Sequence, residues 1–117
     1  MTNRHSEGLS TLEYHVLLAM AESPQYGYAI RDAVEAESAG TLSPRAGTLY
    51  RVIARLITRA LVSEMAPLES APPHPGRTRK YYGLTSEGRV TLSEEARRLH
   101  GAAALAEERL GLADGRS

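Results

Sequence analysis

The sequence predicts a mainly α-helical fold with a small two-stranded antiparallel wing. Apolar residues recur at helical spacing in four separate segments. The β-type stretches are two short runs on either side of a proline-rich loop. The 117 residues suffice for one modest core, and since Trp and Phe are absent that core lacks the largest apolar side chains.

The first two helices have clear start and stop signals. Ser10 and Glu13 have the spacing of a capping box, so the first helix begins at Ser10 and is predicted to end near Glu22. The second helix is predicted from about residue 27 to residue 38, and Gly40 closes it.

The third helix is the most informative segment. Ser43 followed by Pro44 predicts its start, with Ser43 as the N-cap. On a helical wheel one side is apolar and comprises Leu49, Val52, Ile53, Leu56 and Ala60. The opposite side is small, polar or basic and comprises Gly47, Thr48, Arg51, Arg55 and Thr58, with Arg59 at the edge. A helix that faced only solvent would usually mix charges to gain pairs four residues apart.

The charge distribution points to a polyanionic partner although the net charge is zero. Residues 40–63 contain four arginines and no acid, and residues 77–83 contain three basic residues and no acid. A neutral domain can present a positive face, and that face governs association with a polyanion.

The predicted wing has two arms, Leu61–Leu68 and Arg79–Leu84. The connection, Glu69–Thr78, contains three prolines and is longer than most hairpin loops, a length typical of functional loops. Ahead of the second helix and in its first turn, Tyr26 and Tyr28 are predicted to be packing residues.

The last helix is predicted from the N-cap Thr85 to about Leu110. Its apolar residues alternate spacings of four and three, which is a heptad seam and predicts a dimer interface: Leu92, Ala96, Leu99, Ala103, Ala106 and Leu110. The alternative is a helix folded back on its own domain, but about 25 residues outrun so small a domain. The predicted domains are residues 1–84, a winged helix-turn-helix, and residues 85–117, a C-terminal dimerisation helix and tail.

Several function classes are excluded. The chain has no cysteine, which removes disulfides and thiolate zinc sites, and its four histidines lack metal-ligand spacing. No catalytic motif or phosphate-binding glycine loop occurs, so neither an enzyme nor a cofactor is expected. No signal-peptide core or membrane-length apolar run is present, and a cytoplasmic protein is expected.

Four strings in the chain, in this order, resemble PadR-type transcriptional regulators: residues 12–20, 26–30, 43–56 and 79–89. The resemblance runs from about Leu9 to Leu99. It implies a bacterial repressor, a homodimer formed through the C-terminal and first helices, and a near-palindromic operator in double-stranded DNA. The short C-terminal part implies the compact subfamily with one dimerisation helix. Some relatives bind flat aromatic compounds, so a small aromatic effector is a further expectation.

In such a fold the third helix enters the major groove, and the wing reaches the adjacent backbone. The candidate DNA-contacting residues are Ser43, Arg45, Thr48, Tyr50, Arg51 and Arg55 on the helix, and Arg77, Arg79 and Lys80 on the wing. One departure concerns Ala60, which stands where the family usually has glycine. A left-handed backbone at that alanine would cost on the order of 1 kcal/mol.

Alternative interpretations remain open for some of these residues and for the function. The basic residues of the second wing arm would also guard an edge strand against aggregation. Tyr50 lies beside the apolar face and would serve equally as a core residue. The alternative function is a winged-helix protein-interaction module without specific DNA binding.

Overall fold

The computed structural model describes residues 8–67 and 79–112. Within them the chain forms, in order, α1 (Thr11–Ala19), β1 (Gln25–Tyr26), α2 (Gly27–Glu37), α3 (Ala46–Thr58), β2 (Val62–Met65), β3 (Tyr81–Leu84) and α4 (Ser86–Arg109). The prediction of a mainly helical fold with an antiparallel wing and a long final helix is confirmed. The predicted loop Glu69–Thr78, with Arg77, lies outside the described residues. No helix in the described ranges has the length and apolar character needed to span a bilayer.

The antiparallel sheet has the order β1-β3-β2, one strand more than the predicted two. The added strand, β1, pairs Gln25 with Tyr82 and Tyr26 with Tyr81. Two residues are too few for an alternating pattern, so no sequence periodicity reports this strand. Because β1 joins the sheet immediately before α2, it ties the start of that helix to the wing.

The apolar stripes of the helices meet in one core. Its buried members are Val16, Leu17, Met20, Ile30, Val34, Leu49, Val52, Ile53, Leu56, Leu61, Val62, Leu84 and Leu92. The predicted apolar side of α3 is thus buried from Leu49 to Leu56, and each such side chain stabilises the fold by about 1.5–3 kcal/mol. Leu92, predicted to contact a partner, instead packs in the core of its own chain.

Helix α1 begins as predicted and ends sooner. The Ser10 hydroxyl accepts from the Glu13 amide at 3.1 Å, and Oε1 of Glu13 accepts from the Ser10 amide at 2.8 Å, which completes the capping box. The helix ends at Ala19 rather than near Glu22. The reason is a tighter final turn, in which the Met20 amide donates to the carbonyl three residues back.

Helix α3 begins later than predicted. Its N-cap is Arg45, in extended conformation and without a side-chain cap, so Ser43 as N-cap and Pro44 as first helical residue are both wrong. Pro44 is buried, and its carbonyl accepts from Nε of Arg31 on α2 at 3.0 Å. This contact with another helix keeps Pro44 outside α3. The first amides of α3 consequently have no side-chain acceptor of their own.

Helix α3 ends in a left-handed turn at Ala60, a backbone conformation that is strained for alanine. Ala60 has a φ of 65°, and the following amide, of Leu61, donates to the carbonyl of Leu56 at 3.0 Å. The carbonyl of Ala60 accepts from the hydroxyl of Thr85 at 2.7 Å. The strained alanine is thus held in place by the residue that precedes α4.

The same threonine fastens α4 to the end of α3. As predicted, Thr85 is the N-cap, and its hydroxyl accepts from the Gly88 amide at 2.9 Å. Its own amide donates to the carbonyl of Leu61 at 3.1 Å. A Cβ atom at Gly88 would overlap that same carbonyl, so only glycine permits this approach. We call these contacts of Ala60, Leu61, Thr85 and Gly88 the α3–α4 clasp.

A buried charge joins α1 to α3. The Glu13 residue is only 6% exposed, and its Oε2 accepts from Nε of Arg55 at 3.1 Å. Its Oε1 lies 3.6 Å from Nη1 of Arg59. Burial opposes ionisation, but the Ser10 amide and the two guanidinium groups outweigh it and lower the pKa of Glu13 below its usual 4.5. The carboxylate is therefore charged at neutral pH.

Replacing Ala60 by glycine should stabilise the protein by about 1 kcal/mol, because glycine adopts a positive φ without strain. Thermal denaturation should show a rise in Tm on the order of 5 °C. The matched control is Ala54→Gly, at an exposed position inside α3, which should cost about 1 kcal/mol. A lower Tm for Ala60→Gly would contradict the strain argument.

Glu13 should also make stability depend on acid pH. Its pKa is lower in the folded than in the unfolded state, so its contribution is complete above about pH 4.5 and is lost as the pH falls through the folded value. Urea denaturation across this range should show a gap in unfolding free energy between the unmodified chain and Glu13→Gln that narrows on acidification. A gap that is constant or widens toward low pH would refute this linkage.

Candidate nucleic-acid interface

The outer side of α3 and its N-cap is exposed and carries no acid of its own. Apart from Ile57, the exposed residues are small, polar or basic: Arg45, Ala46, Gly47, Tyr50, Arg51, Ala54, Arg55 and Thr58, with Thr48 half-buried among them. Ala46, Gly47 and Ala54 keep the helix surface low between the longer side chains. A flat ligand edge could therefore reach the helix closely while Arg51 and Arg55 contact it from one side.

Arg51 is the exposed cation at the centre of this surface. Its Nη2 lies 3.4 Å from the hydroxyl of Thr48, at the long end of hydrogen-bonding distance. Within residues 8–67 and 79–112 it has no acidic partner. The structure thus brings together two predicted site residues, and it leaves most donors of the Arg51 guanidinium available.

Arg55 has an acidic neighbour that the sequence prediction did not foresee. Residues 40–63 contain no acid, but Glu13 reaches Arg55 from α1 and partly neutralises this face there. The sequence of the segment alone gives no sign of this pair, because its two residues are far apart in the chain. The side chain of Arg55 is nevertheless 55% exposed, whereas that of Arg59, which faces the same carboxylate, is 18% exposed. Arg55 therefore stays on the surface and Arg59 is largely covered.

Tyr50 joins α3 to its two neighbours in the fold. Its hydroxyl lies against the first residue of α2, Gly27, where any Cβ atom would overlap it. Burial raises the pKa of Tyr82 on β3 above its usual 10.0, and the nearby Tyr50 and Glu64 raise it further. Tyr50 is thus both a packing residue and an exposed one, which combines the two readings that the sequence left open.

The described part of the wing presents a stacked cation. The guanidinium carbon of Arg79 lies 3.8 Å from the ring centroid of Tyr26, a cation–π contact. The same ring meets Tyr81 edge to face at 5.7 Å, so Tyr26 packs as predicted. Lys80 is exposed. The wing face therefore carries two cations, one of them held by an aromatic ring.

Tyr28 is an exposed residue that the sequence analysis misplaced. It was predicted to pack, but it is 65% exposed in the first turn of α2. A signal was available, because Tyr28 lies about 200° around the helix from the buried Ile30. It adjoins Gly27, which touches Tyr50.

The distal half of α4 is a second exposed surface. Every residue from 97 to 112 is exposed, including the predicted seam residues Leu99, Ala103, Ala106 and Leu110, while Ala96 is half-buried. The surface available to a partner therefore begins at Ala96 rather than at Leu92. Nothing in the described part of the chain covers these leucines.

A cleft of about 340 Å³ lies between α1 and α2. Leu18, Ala29 and Ala33 form its apolar wall, and Glu22 and Glu37 add negative charge. No residue of α3 or of the wing's basic stretch lines it. Its acidic character is unsuited to a nucleic acid, which leaves the α3 face as the surface of that kind.

Comparison with known proteins supports one family. Residues 16–94 match the family described as Transcriptional regulator PadR-like family. An 81-residue stretch is 43% identical to an uncharacterised 37.1 kDa protein in transposon TN4556 of Streptomyces fradiae. That alignment covers 69% of this chain and 21% of the other, so the chain spans about a fifth of the length of this relative.

Solved structures show the same architecture. A PadR family transcriptional regulator from Eggerthella lenta is 30% identical with a TM-score of 0.62, over 86% of this chain and 81% of that one. Bacillus subtilis PadR, solved in complex with operator DNA, has a TM-score of 0.59 at 18% identity, over 74% of this chain and 47% of that one. At that identity the likeness concerns the fold alone.

The matched residues run from the middle of α1, through α2, α3 and the sheet, into α4. They include the whole of the acid-free helix and both described arms of the wing. The family consists of transcription regulators, in agreement with the prediction of a regulator rather than an enzyme. The chain belongs to the PadR-like family of transcriptional regulators.

Proposed function

We propose that this regulator binds specific DNA sequences and acts as a homodimeric repressor on a near-palindromic operator. The observation that carries the proposal is the exposed outer side of α3, which bears arginines and small residues and contributes no acid. The fold likeness to Bacillus subtilis PadR, which was solved in complex with operator DNA, supports DNA as the partner. For a helix-turn-helix fold of this kind we assign α3 to the major groove.

Within the groove, we assign base reading to Arg51 with Thr48. Arginine forms a bidentate pair with guanine, and Arg51 has no acid to compete for its donors in the described residues. Ser43 and Arg45 precede the helix, whose first amides have no side-chain cap. Such a helix start attracts phosphate, so these two residues are assigned to the backbone.

The wing is assigned to the DNA backbone beside the groove. Arg79 is already stacked on Tyr26, so less side-chain freedom is lost when it contacts a phosphate. Lys80 is exposed next to it. Arg77 extends the same basic stretch and is included on its charge alone. Tyr50 is 48% exposed, and its hydroxyl, which lies beside the first residue of α2, is assigned as the donor to a phosphate.

The homodimer is assigned to the distal half of α4. A helix of about 15 residues is marginally stable by itself, and here its leucines are uncovered, so a partner helix accounts for its formation. The seam comprises Ala96, Leu99, Ala103, Ala106 and Leu110, whose small residues allow two helices to approach. A two-fold dimer matches an operator with two half-sites. The predicted division at residue 84 separates a DNA-binding unit from a dimerising one, but the first turns of α4, with Leu92, pack on the DNA-binding unit.

Binding should reveal the function directly. DNA from upstream of the gene and a mixed-sequence duplex should both be titrated over a range of salt. A dimer that neutralises about six to eight phosphates gives a log–log slope of roughly −5 to −7. Flat, micromolar binding that ignores sequence would favour the protein-interaction module instead.

Footprints with and without planar phenolic compounds test relief by a small aromatic effector.

Arg51→Ala should remove most discrimination between the two DNAs, by about 1–3 kcal/mol for each half-site, because the bidentate pair is lost. The matched control is Arg97→Ala, which removes the same charge from an exposed position on α4 outside the seam. It should leave the preference unchanged. A normal footprint by the Arg51 variant would refute the assignment of base reading.

Leu99→Glu should convert the dimer to monomer in sedimentation velocity at micromolar concentration, since it buries a carboxylate between two helices. Leu105→Glu is the matched control, because Leu105 is 43% exposed against 38% for Leu99 but lies about 120° away from the seam. Equal dissociation by both variants, or a monomeric unmodified chain, would contradict this interface.

A further inference from the structure

The pairing of Arg55 with a buried carboxylate suggests a role that neither the family nor the α3 sequence assigns. We propose that Glu13, although it touches no DNA, is a positioning residue for DNA binding. It holds the Arg55 guanidinium by Nε, so that the opposite, Nη edge faces a phosphate. This inference rests on the proposed DNA-binding function and adds a residue from α1 to it.

The geometry leaves the outer edge of Arg55 available. Glu13 accepts only from Nε, at 3.1 Å, whereas a guanidinium carries five N–H donors on a rigid fork. No hydrogen bond or ion pair of the two Nη groups occurs within residues 8–67 and 79–112. With 55% of its side chain exposed, Arg55 is anchored on one edge and open on the other.

Glu13 is itself held in place by burial and by a second hydrogen bond, which is what a positioning residue requires. It is buried in the first turn of α1, and the Ser10 amide donates to its Oε1 at 2.8 Å. Only Oε2 is then directed to Arg55. An arginine usually loses rotamer freedom when it binds a phosphate, but this ion pair has already removed part of that freedom.

Simple electrostatics predicts the opposite effect of Glu13. A carboxylate close to a DNA-contacting arginine repels the polyanion, so its removal alone should tighten binding. If Glu13 positions Arg55, its removal should weaken binding instead. The sign of the change in affinity therefore separates positioning of Arg55 from simple repulsion of the DNA. If Glu13 only stabilised the fold, its removal would leave the affinity of the folded protein unchanged.

The experiment uses a labelled mixed-sequence duplex of about 30 base pairs, long enough for the two α3 helices of a dimer to lie one helical turn apart. Binding by the full chain is measured at several salt concentrations for Glu13→Gln, Arg55→Ala and their combination. We expect Arg55→Ala to weaken binding about tenfold and to make the salt slope less negative by about two, one contact per subunit. Glu13→Gln should weaken binding severalfold, and it should add nothing to Arg55→Ala.

Arg55→Lys keeps the charge but removes the fork, and it decides the question if Glu13→Gln fails to fold. We expect it to bind several times more weakly than the unmodified chain, with Tm showing that it is folded.

Three results would overturn the inference: a folded Glu13→Gln that binds as tightly as or more tightly than the unmodified chain, additive effects in the combined variant, or unchanged binding by Arg55→Lys. Absence of binding by the unmodified chain both to this duplex and to the DNA upstream of its gene would overturn the proposed function itself, and this inference with it.

Discussion

A carboxylate removed from water stays ionised only when donors replace the lost hydration, and at Glu13 the donors come from two parts of the chain. The Ser10 amide supplies one at the start of α1, and Arg55 and Arg59 supply the others from α3. Leaving such a charge buried without its partners would cost several kcal/mol. The relative placement of α1 and α3 is therefore determined by a directional polar contact as well as by the apolar core.

This constraint bears on function because α3 presents its outer side to the proposed DNA. An apolar interface tolerates small sliding motions at modest cost, whereas the carboxylate–guanidinium pair depends on distance and angle. Tyr50 adds a second restraint, since its hydroxyl occupies the space that the glycine at the start of α2 leaves open. The recognition surface is thus held from two sides. Its positive character comes from arrangement alone, because the chain as a whole has no net charge.

The sequence predicted what depends on neighbours a few residues away. The buried stripe of α3, the capping box of Ser10 and the N-cap Thr85 follow from helical spacing and local hydrogen bonding. The late start of α3 did not follow, because the carbonyl of Pro44 bonds to an arginine thirteen residues away. The Glu13–Arg55 pair spans 42 residues, and a contact of that range leaves no periodic trace. The heptad of α4 predicts one continuous seam, but period alone does not say that Leu92 is buried in its own chain while Leu99 is exposed.

The α3–α4 clasp fixes the start of α4 to the end of α3. The hydroxyl of Thr85 bonds to the carbonyl of Ala60, and Gly88 packs against the carbonyl of Leu61. The two helices are therefore expected to move together as one rigid unit. In the proposed dimer, movement would have to arise where the two long helices cross. From the middle of the seam, near Ala103, to the start of α4 is about 25 Å, so a change of about ten degrees in the crossing moves that start by roughly 4 Å, more than one base-pair step. A small rearrangement at the dimer seam would thus be enough to move the two α3 helices out of register with neighbouring major grooves.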